Sequence, residues 1–140
     1  MYLDSCIIVK LVSREPDSEV YHDLVVGSTV VTSELAVAEI RSALLTKERA
    51  GRISRTDRLQ GWRVFQDKVH GEEIHLLPLT RQVVERAGAV IEQCHPTVPL
   101  RTLDALHVAT AELHGGEEMC SSDQRVRDAS VLVGLAVRAV

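Results

Sequence analysis

The sequence predicts an α/β fold, a parallel central sheet flanked by helices on both faces, and three observations carry that prediction. Short apolar, partly β-branched runs alternate with segments of helical periodicity along the whole chain. The segments between the runs are long enough for right-handed crossovers. One helix, 100–114, reading L-R-T-L-D-A-L-H-V-A-T-A-E-L-H, is apolar around most of its cylinder and belongs inside the protein. In it Leu103, Leu106, Ala109 and Leu113 form one stripe, with Ala105, Val108 and Ala111 beside it. Asp104 sits on the face of Val108 and Ala111, so its carboxylate needs a partner from elsewhere in the fold.

The elements follow in order. Residues 1–3 form a short strand that runs into Asp4, and 5–12 turn straight into a helix. Pro16 marks a break. Asp17 or Ser18 caps a second helix through Val26, ended near Gly27. Residues 29–32 are rich in β-branched side chains and read as a buried strand. Thr32 or Ser33 caps a long helix to about Ala50, with Gly51 as its stop. Residues 54–70 form a helix with Leu59, Trp62, Phe65 and Val69 on one side and Gly71 at its end. A strand at 74–77 is stopped by Pro78. Thr80 caps a helix to about Cys94 whose apolar side is Val83, Val84, Ala87, Val90 and Ile91. The linker 95–99 is stiffened by two prolines and leads into the buried helix, which Gly115 and Gly116 end. A strand at 118–121, a helix at 123–131 and a strand at 135–140, with Leu135, Val137 and Ala139 on one face, complete the chain.

Composition narrows the function. The 140 residues make one domain with an aliphatic core, since aromatics are only 3%. No apolar run is long enough to span a bilayer, and the N-terminus carries an acid where a signal peptide is apolar, so a cytoplasmic protein is expected. Cys6, Cys94 and Cys120 are widely spaced and odd in number, which points to reduced thiols and away from a cysteine metal site. A net charge of −4 excludes nucleic-acid binding by bulk positive charge, though local arginine patches remain open.

In parallel sheets of this kind, ligands bind beyond the carboxyl ends of the strands, where the strand order reverses. Asp4 and Asp123 each follow a strand there, and Glu39, lying between Leu35 and Ala43, faces inward. With Asp104 they make four carboxylates directed at one region. Each has a plainer reading: Asp4 and Asp123 as helix caps, Glu39 as a solvated helix residue, and Asp104 as a partner of His107 or Arg101. His107 reads as a structural hydrogen bonder. As a set, with no buried lysine or arginine on those faces, the four acids call for a hard divalent cation, Mg²⁺ or Mn²⁺, which takes oxygen ligands and keeps several waters.

The chain resembles a known family at these residues. Y-L-D-S-C-I-I-V-K-L at the start, T-S-E-L-A-V-A-E-I-R-S-A-L, L-R-T-L-D-A-L-H-V-A-T-A and S-S-D-Q-R-V near the end are similar to the four acidic motifs of PIN-domain nucleases. The small size and the third motif are similar to the VapC toxins of bacterial toxin–antitoxin pairs. The resemblance spans nearly the whole chain, so a single PIN-like domain over 1–140 is expected. It implies that Asp4, Glu39, Asp104 and Asp123 bind Mg²⁺ or Mn²⁺ and that the protein is a metal-dependent endoribonuclease. A homodimer inhibited by a cognate VapB-like antitoxin is implied as well. Ser121 stands where many relatives have Thr and keeps the hydroxyl.

The expected chemistry is hydrolysis of an RNA phosphodiester by a metal-activated water. Asp4 and Asp104 make direct contact with the ion, Glu39 and Asp123 hold or act on water, and Ser5, Arg101 and Ser121 orient the site or bind substrate. A receiver domain is excluded, because it needs adjacent acids after the first strand, an acceptor Asp after a middle strand and a late Lys. An Asp-x-Asp phosphohydrolase is excluded by Cys6. A catalytically idle PIN-like module in RNA metabolism is the remaining alternative. The surface apolar residues of the helices between Ala36 and Phe65 suggest a groove for the antitoxin.

Overall fold

A computed structural model of the chain describes residues 1–13, 15, 17–114 and 118–138. The elements are β1 (Tyr2–Leu3), α1 (Ser5–Val12), α2 (Ser18–Val25), β2 (Val30–Ser33), α3 (Leu35–Arg49), α4 (Arg55–His70), β3 (Ile74–Leu77), α5 (Arg81–Cys94), α6 (Thr102–His114), β4 (Glu118–Cys120), α7 (Gln124–Leu132) and β5 (Ala136–Val137). The expected breaks at Pro16, Gly115 and Gly116, and the Ala139 end of the last strand, lie outside the described residues.

All strands are parallel, in the order β3-β2-β1-β4-β5. The chain winds outward from β1 through β2 to β3, then returns to lay β4 and β5 on the other side of β1. That places the reversal of strand order between β1 and β4, where the Asp4 amide donates to the Cys120 carbonyl at 3.0 Å.

Because successive strand residues face opposite ways, the strands feed two cores. Leu3, Val30, Ile74 and Cys120 pack with α1 to α4 through Ile7, Ile8, Ile40, Leu44 and Phe65. Tyr2 and Met119 pack on the other face with Val90, Cys94, Val108 and Val126 of α5, α6 and α7. In α6 every residue from Ala105 to Ala111 is buried, as its composition predicts. No helix among the described residues is long and apolar enough to cross a membrane.

Three expected apolar stripes are rotated from their predicted phase. Leu59, Val84 and Leu103 are 47%, 53% and 47% exposed. In α4 the buried face runs through Gly61 and Phe65, because Gly61 lies against the Val12 backbone and lets the helix approach α1 closely. In α5 the face is Val83, Ala87, Val90 and Cys94, which leaves Val84 about a quarter turn outside it. Leu103 stands in the first turn of α6, before the helix enters the core.

Helix ends follow local chemistry. Gly51, at φ +68, ends α3 with its amide on the Glu48 carbonyl and the Arg52 amide on the Lys47 carbonyl, the two bonds of a Schellman stop. Ser54 and Asp57 form a reciprocal capping box on α4. At the end of α4 the left-handed position falls on Glu72, at φ 59, one residue past the expected Gly71. The Glu72 amide bonds Val69 and the Glu73 amide bonds Lys68, so Glu72 takes the place glycine fills in α3. Glu72→Gly is therefore expected to stabilise the protein by about 0.5–1 kcal/mol, read as a higher urea midpoint with unchanged m-value.

Candidate active site

Asp4, directly after β1, caps α1 by accepting the Cys6 amide on Oδ1 at 3.3 Å, and accepts the Ser121 hydroxyl on Oδ2 at 2.7 Å. Ser121, directly after β4, in turn accepts the Asp123 amide at 3.0 Å. Asp123 caps α7 through the Arg125 amide at 2.8 Å. Both acids therefore act as helix caps, and Ser121 joins their two loops by hydrogen bonds.

Asp104 stands in the first turn of α6 and answers to neither His107 nor Arg101 through a side-chain bond; its Oδ2 is buried with no hydrogen-bond partner among the described residues. Burial, then the charges of Asp123 and Asp4, hold its carboxyl above the usual carboxylate range. Asp104 is thus within electrostatic reach of both Asp123 and Asp4.

Glu39, half-buried in α3, is drawn to the side of this group. It accepts the Ser5 hydroxyl at 2.5 Å and meets His107 Nε2 at 2.6 Å, both through Oε2. Burial opposes its ionisation, but the His107 bond and charge and the Ser5 bond lower its pKa. His107 is only 2% exposed in its side chain. Burial disfavours its charged form, yet the Glu39 bond and the charges of Asp4, Glu39 and Asp104 raise its pKa. Its Nε2 lies 4.0 Å from Asp4 Oδ1, so the imidazole stands between Glu39 and Asp4.

Two features escaped the sequence reading. The first is Arg125, whose guanidinium grips both oxygens of Asp123, at 2.8 and 3.3 Å. This bond holds the Asp123 carboxyl below its usual range. Arg125 is two residues past the cap and partly exposed at the rim, so a search of buried helical faces passes over it. Arg101 is exposed, and its charge also lowers the Asp123 pKa. The second feature is Tyr2, whose hydroxyl meets His107 Nδ1 at 2.7 Å. Burial and the charge of Asp4 hold the phenol neutral, well above its ordinary range.

The three cysteines are free thiols. Burial, then Asp4, pushes the Cys6 thiol up to about 11, which removes it as a nucleophile or soft metal ligand at neutral pH.

Among the described residues no three acidic, histidine or cysteine side chains converge as a ready-made metal cage. The donor set nonetheless fits a hard cation. Mg²⁺ is commonly held by one or two carboxylates with its remaining positions filled by water and substrate phosphate. Asp4, Asp104 and Asp123 supply oxygen alone, and the partnerless Asp104 Oδ2 is the group such an ion would satisfy.

A family model described as PIN domain matches residues 1–132. The chain is 36% identical over 140 residues to Ribonuclease VapC46 of Mycobacterium tuberculosis, covering 98% of this chain and 95% of that protein. Among solved structures it is similar to VapBC2 from Rickettsia felis bound to a DNA fragment from their promoter, with TM-score 0.70 and 13% identity over 98% of this chain and 96% of the other. It is also similar to FitAcB from Neisseria gonorrhoeae, with TM-score 0.65 and 15% identity over 99% and 96% of the two chains. These two likenesses bear on the fold.

Proposed function

The chain belongs to the PIN domain family, and from that membership we propose that it is a ribonuclease toxin of a toxin–antitoxin pair, a Mg²⁺-dependent endoribonuclease. The observation that carries the catalytic reading is the aspartate neighbourhood at the reversal of strand order, with Asp104 Oδ2 left without a partner. Its likeness to a curated ribonuclease over nearly the full length of both chains supports RNA as the substrate.

Asp4 and Asp104 would hold the cation, with Asp123 completing the pocket once its grip on Arg125 loosens. When bound, the ion supplies an acidified water and offsets the charge that grows on phosphorus. Ser121 keeps Asp4 and Asp123 in register. Ser5 and His107 hold Glu39 where its carboxylate can orient or take a proton from the attacking water. Arg125 and Arg101 stand at the rim to meet the negative backbone, a local basic edge on an acidic protein. The water oxygen bonds to phosphorus as the bond to the ribose 3′ oxygen breaks, leaving a 5′-phosphate and a 3′-hydroxyl.

The partner we expect is a VapB-like antitoxin, with the toxin itself a homodimer. Exposed Val37, Leu45 and Leu59 on α3 and α4 support docking there. So does a cleft of about 460 Å³ beside α4 that includes Gln60, Arg63 and Val64, and one of about 420 Å³ beside Arg52, Ile53 and Gly61. A monomeric mass in solution would overturn the dimer.

The test of the activity is cleavage of structured RNA with Mg²⁺ and with EDTA, followed by end-group analysis. Mg²⁺-dependent cutting with 5′-phosphate ends is expected. EDTA-resistant cutting, or cyclic 2′,3′-phosphate ends, would reject the mechanism, and no cutting at all would favour the idle module.

A further inference from the structure

Tyr2, His107, Ser5 and Glu39 come from β1, α6, α1 and α3, and they meet in one connected set of hydrogen bonds beside the aspartates. Glu39 is an acceptor only when ionised, so the Nε2 proton of His107 points to its Oε2. Nδ1 is then fixed by the Tyr2 hydroxyl, which packs edge-on to the imidazole with centroids 5.9 Å apart. Tyr2 is fully buried between β2 and β4, and His107 lies in the fully buried stretch of α6. The ring therefore has little freedom to rotate. Both bonds to Glu39 fall on Oε2, which leaves Oε1 as the oxygen for water.

We propose that Tyr2 and His107 form a positioning relay that holds Glu39 beside the three aspartates and not among them, so that Glu39 acts on water while the aspartates hold the ion. A buried polar network of this kind is costly unless it is complete, and here each member has a partner. The relay rests on the ribonuclease reading only for its catalytic consequence; the hydrogen bonds are a separate claim. His107 and Tyr2 are positioning residues, since they act through Glu39.

The experiment compares wild type with His107→Leu, His107→Gln and Tyr2→Phe. It measures RNA cleavage in Mg²⁺, Mn²⁺ binding by calorimetry without RNA, and the imidazole ¹⁵N shifts of the metal-free protein. His107→Leu is expected to lower kcat about 10–100-fold, in the range for an outer partner of a metal site, with KM for RNA little changed. Mn²⁺ affinity should change less than about threefold, because the aspartates remain. His107→Gln keeps an N–H toward Glu39 and should recover roughly tenfold of the loss. Tyr2→Phe should lower kcat in wild type and add nothing in the His107→Leu background.

Equal cleavage by all variants overturns the proposal. So does a parallel loss of kcat and Mn²⁺ affinity that His107→Gln does not rescue, which is the signature of a purely structural or directly coordinating role. The nitrogen shifts decide the relay even if wild type cuts no RNA and even if His107→Leu fails to fold. In a connected relay Tyr2→Phe moves Nδ1 and Glu39→Gln moves Nε2; if neither moves, the relay does not exist.

Discussion

Asp104→Asn is expected to cut RNA cleavage by about 10³-fold or more and, in the metal-free protein, to raise the melting temperature at neutral pH. The first effect corresponds to roughly 4 kcal/mol, the scale on which a bound cation stabilises charge in a phosphoryl-transfer transition state. Asn keeps the shape and one carbonyl oxygen but not the charge that would hold the ion. The second effect has the opposite sign because the folded protein disfavours the Asp104 anion. Burial and two neighbouring carboxylates raise its folded pKa above the unfolded value. Such a group contributes stability below its unfolded pKa, near 3.9, and that contribution is lost as pH rises through the folded pKa. The gain in melting temperature should therefore be present at neutral pH and vanish near about pH 3. Saturating Mg²⁺ should reverse the order, since an ion held by Asp104 would stabilise wild type and not the variant. A variant that cuts at the wild-type rate would remove Asp104 from the site.

Gly61→Ala should destabilise the protein by about 1–3 kcal/mol, whereas Gly88→Ala should stabilise it by up to about 1 kcal/mol. Both glycines sit inside helices, where alanine is the better helix former. Their surroundings decide the sign. A Cβ at Gly61 would lie 2.7 Å from the Val12 carbonyl oxygen and 3.4 Å from a Leu44 methyl, so two backbones must part. A Cβ at Gly88 meets nothing within 4 Å. Urea denaturation of the pair measures the close approach of α4 to α1; equal stabilisation by both alanines would mean the two helices are not in contact there.

The same close approach shows where sequence reading succeeds and where it stops. Strand-to-helix junctions carry strong local signals, so Asp4 after β1 and Asp123 after β4 are legible as acids at the carboxyl edge of a parallel sheet. Asp104 is legible because a carboxylate in an otherwise apolar helix is conspicuous. The phase of a half-apolar helix is less so. Periodicity places Leu59, Val84 and Leu103 on stripes, but only the packing partner decides which part of a stripe goes in, and Gly61 leaves no apolar mark of its contact. Tyr2 and His107 are 105 residues apart, and a two-residue strand has no periodicity to announce an inward phenol. Arg125 was missed because its pairing with Asp123 runs from the cap to the second position of α7, outside any helical-face spacing.

Arg125 also sets the main competition in the site. Among the described residues Arg125 is the one arginine or lysine bonded to any of the three aspartates, and it neutralises Asp123 while Asp104 Oδ2 has no hydrogen-bond partner. A cation entering between Asp4 and Asp104 would weaken that grip by offering Asp123 a stronger charge, and would free the guanidinium for phosphate.

The most direct test is anomalous diffraction from crystals soaked in Mn²⁺. A peak bounded by carboxylate oxygens of Asp4 and Asp104 is expected, with Asp123 turned toward it and Glu39 still bonded to His107. No peak at Mn²⁺ concentrations that support cleavage, or a peak held by Glu39 and His107 away from the aspartates, would contradict it.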